Sequence, residues 1–308
     1  MKIFSGSSNK PLAKKIGKAF GQKLSPLEIY IFSDGERRVR VEEHIVGAEA
    51  VIVQSTSTPV DQNYMELFFI ADAVQRSGAK STTAVVPYLG YQRQDHIFRD
   101  GEAVSLEVVV KTLEAVGINW LIAFDLHSIK IPEVFKIPVS HLSALPLFAD
   151  EIERRGWHTK DTVLVSPDMG GIRRIRILSE LLGGMPYASI EKQRDLSTGK
   201  VEALGIEGSV ARRAIMVDDM ISSGSTMVKA AEFLREKGVE ELHVFATHPV
   251  FSAEAPKLLQ ESLIKDVYVT DTVYIPLDKY FPKLTVLSVA GTIARAIENK
   301  RPQKINFK

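Results

Sequence analysis

The sequence predicts an α/β protein of two similar domains, each a mainly parallel sheet flanked by helices. Three observations predict it. Short apolar runs rich in β-branched residues alternate with longer segments whose apolar residues fall at helical spacing, as in strands joined by crossover helices. Residues 71–88 and 231–248 then share one register: a helix, a glycine C-cap at Gly78 or Gly238, and a buried strand. Finally, the residues able to hold a ligand collect in loops after strands, where parallel sheets bind ligands. A chain of 308 residues has room for two cores. The division is expected at 1–145 and 146–308.

The elements follow in order. Residues 1–4 read as a first strand, 5–8 as a turn and 9–23 as a basic helix. Residues 29–32 form another strand, followed by a glycine turn over 32–36 and alternating Val39 and Val41, the pattern of a hairpin. A buried strand over 50–54, an amphipathic helix over 64–76 and a strand over 84–87 complete the first copy of the repeat. Strands are expected again at 120–123, 162–165, 188–190 and 214–217, with a helix over 227–237.

Composition limits the partners. With 45% hydrophobic and 25% charged residues this is an ordinary soluble globular chain. A net charge of +1 gives no field for nucleic acid or membrane, so an anionic ligand must be met by local groups. There are no cysteines, which excludes disulfides, thiolate metal sites and a Cys nucleophile. No apolar run approaches a membrane span and the N-terminus lacks a leader's apolar core, so the cytoplasm is the default location.

The chemistry centres on 213–226. Asp218 and Asp219 close a strand, and Ser222, Ser223, Gly224, Ser225 and Thr226 open a helix. A helix N-terminus presents unpaired N–H groups and the positive end of a dipole, and hydroxyls add donors without bulk, so this is a cradle for a phosphate monoester. The carboxylates would repel that phosphate. Vicinal hydroxyls suit them, because an ionised carboxylate only accepts hydrogen bonds. Together the two parts fit a ribose 5-phosphate unit. The same residues also read as a polar strand end and a capped turn. Elsewhere, Arg93 can fork across phosphate oxygens and Gln94 and Asp95 can fix a base or ribose, although such a loop can equally be solvated. Gly170 and Gly171 would let backbone approach an anion beside Asp168, which could reach a metal or the sugar.

Residues 217–226 resemble the phosphoribosyl-diphosphate binding motif of the type I phosphoribosyltransferases. Residues 32–36, 54–59, 87–95, 125–127 and 166–171, in that order, narrow the resemblance to ribose-phosphate diphosphokinases over nearly the whole chain. It implies ATP and ribose 5-phosphate as substrates, Mg2+ as cofactor, and 5-phosphoribosyl 1-diphosphate and AMP as products. It also implies a type I phosphoribosyltransferase-like fold in both halves, with ATP on the N-terminal side and ribose 5-phosphate and a flap on the C-terminal side. The loop carrying Phe32, Asp34 and Glu36 would reach the adenine pocket of a neighbouring subunit, which makes the protein a homo-oligomer. Arg93, Gln94, Asp95 and His96 become nucleotide contacts, with Arg99 an alternative to His96 as the following cation. His127 and Asp168 would hold the Mg2+. The polar stretch 191–202 reads from its residues as an exposed turn. The resemblance makes it a flap whose Lys192 and Arg194 close over the phosphates and carry catalysis. Three alternatives remain open: a phosphoribosyltransferase that consumes the product, a non-catalytic regulatory paralogue, and a purely structural α/β protein.

Overall fold

The computed structural model of the protein describes residues 1–194 and 201–299, with side chains described outside 192–204. The first half runs β1 (Lys2–Ser5), α1 (Lys10–Ala19), β2 (Leu27–Ile31), β3 (Arg37–Val41), β4 (Glu49–Val53), α2 (Val60–Arg76), β5 (Ser81–Val85), α3 (Ser105–Ala115), β6 (Trp120–Phe124), α4 (Ile131–Val134) and β7 (Val139–Leu142). After α5 (Leu145–Arg154) a similar order returns. It comprises β8 (Thr162–Ser166), α6 (Ile172–Leu181), β9 (Tyr187–Arg194), β10 (Val201–Glu207), β11 (Arg213–Ile221), α7 (Ser225–Glu236), β12 (Glu241–Pro249), α8 (Ala255–Glu261), β13 (Asp266–Thr270), β14 (Leu284–Leu287) and α9 (Ala290–Asn299). Among the described residues no helix is long and apolar enough to cross a membrane.

The first sheet, in the order β1-β4-β5-β6-β7, is parallel throughout. The second, β10-β9-β8-β11-β12-β13-β14, is parallel except for β10, which folds back on β9. Strands β1, β4, β5, β6 and β7 therefore correspond in order to β8, β11, β12, β13 and β14, and the repeat read from 71–88 and 231–248 extends through both sheets. The hairpins differ. β9 lengthens the second sheet through its pairing with β8, whereas β2 and β3 pair only with each other. They lay Ile29 and Val39 on the core under α2 instead. The first helix is shorter than the 9–23 expected from sequence. Asn9 caps it by accepting from the Leu12 N–H at 3.3 Å. It stops at Ala19 because Gly21 takes φ 62° and the Gln22 N–H turns back to the Gly17 carbonyl at 2.9 Å.

The helices that end each half are exchanged. α5 follows the first half but buries Leu145, Phe148 and Ile152 against Leu164, Ile175, Phe245 and Tyr268 of the second. α9 follows the second half but buries Ile293, Ala296 and Ile297 against Ile3, Leu12 and Ile16 of the first. Both are started in one way. Asp125, after β6, accepts from Ser143 Oγ at 2.8 Å and the Ala144 N–H at 2.9 Å; Asp271, after β13, accepts from Ser288 Oγ at 2.6 Å and the Val289 N–H at 2.8 Å. A carboxylate on orphan N–H groups at a helix start is stabilising. Because α9 ties the chain end to β1, truncating a fully buried side chain there should loosen the whole molecule. Ile293→Ala is expected to cost about 2–5 kcal/mol of unfolding free energy, measured in urea, with both halves unfolding in one transition. A variant that unfolds like the parent would contradict this packing.

Candidate active site

The carboxyl ends of the two sheets face each other, and the polar contacts between the halves concentrate there. Thr247 Oγ1, in β12, donates to Asp125 at 2.6 Å, and His248 Nε2 lies 3.2 Å from the Phe124 carbonyl. On the other flank Ser55 Oγ donates to the Thr272 carbonyl, and Asn9 Nδ2 to the Asp271 carbonyl at 2.8 Å. Between the flanks the rings of Tyr88 and His248, each near the end of its half's second repeat strand, meet edge-on with centroids 5.0 Å apart.

One cleft on this seam, of about 400 Å³, is lined by the loops after β8 and β11 from the second half and by His127 and Arg93 from the first. β11 delivers Asp218 and Asp219 to its floor. Asp219 Oδ2 lies 2.8 Å from His127 Nδ1, and Arg174, from the first turn of α6, reaches Asp218 at 3.0 Å and Asp219 at 3.7 Å. Two adjacent carboxylates in a half-dry site cannot carry charge equally. Burial would raise Asp219, but the hydrogen bond from His127 and the charge of Arg174 outweigh it and hold this carboxyl well below the usual range. Asp218 is pushed far upward by burial and then by its ionised neighbour, and Arg174 offsets only part of that. The hydrogen bond to Asp219 draws the His127 pKa upward against its partial burial.

Beside the acid pair, Ser222, Ser223, Gly224 and Thr226 line the opposite wall. Gly224 is the N-cap of α7 at φ 79°, a left-handed conformation that side chains rarely adopt. A Cβ there would also press on Leu259 at 3.4 Å. The turn thus exposes the helix start to the cleft, with Ser225 Oγ paired to Ser223 Oγ at 2.9 Å just behind it. Asp168 lines the cleft as well, one of its oxygens accepting from the Gly171 N–H at 3.2 Å. Gly171 is fixed by crowding, since a Cβ would fall 2.4 Å from Ser166 Oγ.

A second concavity of about 550 Å³ opens on the other side of His127, where Arg93, Asp95, His96 and Lys130 line it. Asp95 is 2.6 Å from His96 Nδ1, and His96 lies against Phe98 with ring centroids 3.9 Å apart. Gln94 lines neither cavity; its backbone carbonyl accepts from the Leu106 N–H. Phe32, Asp34 and Glu36 sit exposed at the tip of the β2–β3 hairpin and line neither cavity of their own chain. Lys192 and Arg194 have their backbone in β9, paired to Ala203 and Val201. Their side chains lie outside the described residues. Sequence reasoning missed Arg174, Lys130 and one support behind His127, Gln92, whose Oε1 accepts from the His127 N–H at 2.9 Å; His141 is the satisfied structural histidine that the sequence reading makes it, its Nε2 accepting from the Leu126 N–H at 2.9 Å. Gln92 stands inside a singled-out loop and could have been found. Arg174 is one of several basic residues in α6, and nothing in the pattern marks it.

Two parallel sheets facing across a cleft, with a carboxylate pair and a hydroxyl-lined helix start in it, define a doubled α/β protein of the type I phosphoribosyltransferase kind. The comparisons narrow this. The N-terminal domain of ribose phosphate pyrophosphokinase matches residues 1–117 and the phosphoribosyl synthetase-associated domain matches 189–303. A ribose-phosphate pyrophosphokinase 1 of Streptococcus pyogenes is 40% identical over 98% of this chain and 96% of its own length, and a ribose-phosphate pyrophosphokinase of Fusobacterium nucleatum 38% over 97% and 94%. The crystal structure of phosphoribosylpyrophosphate synthetase from Mycobacterium smegmatis superposes with a TM-score of 0.89 at 34% identity, covering 97% of this chain and 99% of that one. The chain belongs to the ribose-phosphate pyrophosphokinase family.

Removing Arg174 should leave two buried carboxyls without their counter-charge. Arg174→Met is expected to cost about 3–5 kcal/mol at neutral pH. In that variant Asp218 loses the charge that offset part of its burial and Asp219 keeps only His127 to hold it down, so both folded-state pKa values rise relative to the parent and the deficit shrinks as pH falls and the carboxyls are protonated. Urea titrations at pH 7.5 and pH 5 check the sign; a deficit that grows in acid would contradict the assigned pairing.

Proposed function

We infer that the protein transfers the diphosphoryl group of ATP to the anomeric hydroxyl of ribose 5-phosphate, giving 5-phosphoribosyl 1-diphosphate and AMP. The observation that carries this reading is the carboxylate pair of β11 set beside the hydroxyl-lined start of α7 in one cleft, in a chain of this family. Ser222, Ser223, Gly224, Ser225 and Thr226 hold the 5-phosphate, while Asp218 and Asp219, with Asp168 nearby, take the ribose hydroxyls. The anomeric hydroxyl is left free. Its oxygen attacks the β-phosphorus, the bond from that phosphorus to the α–β bridging oxygen breaks, AMP departs with that oxygen, and the hydroxyl proton passes to solvent. Positioning and charge stabilisation are what such a transfer needs.

ATP lies on the first-half side, against Arg93, Asp95 and His96 with Gln94 at the edge of that loop, so that 1–145 serves the nucleotide and 146–308 the sugar. The exposed hairpin tip with Phe32, Asp34 and Glu36 serves the adenine pocket of a second subunit, which makes the working form at least a dimer; the exposed side chains of Tyr30 and Ile31 beside it support an interface. His127 and Asp168 fit an Mg2+ that travels with ATP. Asp219 engages Nδ1 of His127, so in the neutral ring Nε2 is the nitrogen left to a ligand, and magnesium takes few protein donors when phosphates and water supply the rest. When bound, the ion neutralises charge on the transferred phosphates. Metabolism of this kind places the protein in the cytoplasm.

An assay with Mg2+, ATP and ribose 5-phosphate that follows AMP and phosphoribosyl diphosphate together tests the reading. Equal amounts of both are expected; neither product, with both substrates still bound, would leave a regulatory paralogue instead. Lys192 and Arg194 act on charge that develops only in the transition state, so Lys192→Ala and Arg194→Ala should each lower kcat by about 100-fold or more with little change in KM for ribose 5-phosphate. A large rise in that KM at unchanged kcat would sink the assigned role.

A further inference from the structure

The seam between the halves has a second cleft, and its construction repeats the first. The candidate active site takes the loops after β8 and β11 from the second half and those after β5 and β6 from the first. On the opposite flank, the loops after β1 and β4 from the first half face those after β12 and β13 from the second around a cavity of about 390 Å³. Given β1≡β8, β4≡β11, β5≡β12 and β6≡β13, the two clefts exchange places under the repeat. They are also nearly equal in volume, about 400 and 390 Å³.

Their chemistry has diverged. Val53 and Val217 both lie opposite the equivalent residue of the next strand, Val85 and Phe245, so Gln54 and Ser55 stand where the second half has Asp218 and Asp219. Neither faces a ligand. Gln54 accepts from the Ser8 N–H at 3.1 Å and Ser8 Oγ at 2.8 Å while its amide reaches Glu66 at 3.0 Å, and Ser55 is spent on the Thr272 carbonyl. The diol-binding element is gone. What the cleft has instead is positive charge: among the described residues Arg37 and Lys279 line it, and no Asp or Glu does. Arg37 is under-used. Its buried Nε has no hydrogen-bond partner and only a loose 3.6 Å ion pair with Glu66, and its contacts with Gln62 are long at 3.3 and 3.4 Å. Lys279 donates to the Phe251 carbonyl at 2.6 Å and pairs with no carboxylate among the described residues. Ser57 and Thr58, from the loop that corresponds to the hydroxyl turn of the active site, line the same wall.

We propose that this second cleft binds a phosphate group, as inorganic phosphate or as the head of a phosphate monoester, between Arg37 and Lys279 with the Thr58 hydroxyl as a further donor. Guanidinium and ammonium groups with unused donors that line one cleft, with no carboxylate among its described lining residues, favour a dianion. Loss of the acid pair means that the sugar hydroxyls of a monoester contribute little here, unlike in the first cleft.

Isothermal titration of the full chain with inorganic phosphate, in the absence of ATP and Mg2+, tests the proposal, and ribose 5-phosphate in a parallel titration separates the two sources. Two phosphate equivalents per chain are expected. Thr226→Ala should weaken one of them, whereas Lys279→Gln and Arg37→Gln should each weaken the other at least 10-fold and leave the first in place. Ribose 5-phosphate should bind the first cleft more tightly than inorganic phosphate does and the second about equally; a second equivalent taken up only with ribose 5-phosphate would assign the cleft to monoesters. A single equivalent per chain for both ligands, or a second one unmoved by both Lys279→Gln and Arg37→Gln, would overturn the proposal. Since Lys279 is only partly buried and has no ion pair among the described residues, its variant keeps the test valid if Arg37→Gln fails to fold.

Discussion

His127, in the loop after β6 of the first sheet, and Asp219, in β11 of the second, are 92 residues apart in sequence, yet their side chains meet at 2.8 Å. That contact exists only because the carboxyl ends of the two sheets are pressed together, and the other contacts between the halves serve the same alignment. Asp125 shows how closely it is held. Its backbone takes φ 30°, a conformation costly for any residue but glycine, while its carboxylate accepts from Ser143, Ala144 and Thr247 at once. The strained turn starts helix α5, reaches across to β12 and aims the next residues, Leu126 and His127, at the acid pair. One residue thus joins the packing of the halves to the chemistry between them.

The exchange of α5 and α9 explains why this alignment is stable. Each half lends its last helix to the other's sheet, so separating the halves would expose both apolar faces as well as the polar seam. Within the seam, a buried acid pair would be a liability if left alone, because an uncompensated carboxylate in a dry site costs several kcal/mol. Arg174 and His127 offset it, and the resulting asymmetry leaves Asp219 firmly ionised and Asp218 shifted the other way. A ligand that brings hydroxyl donors meets a floor whose groups are already oriented, so little reorganisation accompanies binding.

Much of this was legible in the chain. The strand and helix periods gave the α/β class, and the shared register of 71–88 and 231–248 anticipated the doubled topology, because repeated packing requires a repeated apolar pattern. The acid pair and the hydroxyl turn were legible because both depend on local chemistry at a strand end and a helix start. What was hidden depends on distant parts of the chain. An apolar stripe on α9 shows that it is buried and gives no sign that Ile3 and Leu12 cover it. Arg174 looks like its neighbours until α6 is placed on β8. The hairpin of β2 and β3 reads like any other, and its failure to join the sheet follows from packing on α2. The second cleft could not be seen at all, since its charges come from Arg37 and Lys279, in different halves.

The account rests on His127 and Asp219 acting as one unit across the seam, and a double-mutant cycle measures that directly. His127→Ala, Asp219→Asn and the combined variant would be compared by kcat/KM for phosphoribosyl diphosphate formation. The account predicts strong non-additivity, a coupling of about 1–3 kcal/mol, since either change alone breaks the shared arrangement. Effects that simply add, within about 0.5 kcal/mol, would show that the two residues work independently and that the meeting of the sheets does not create the site.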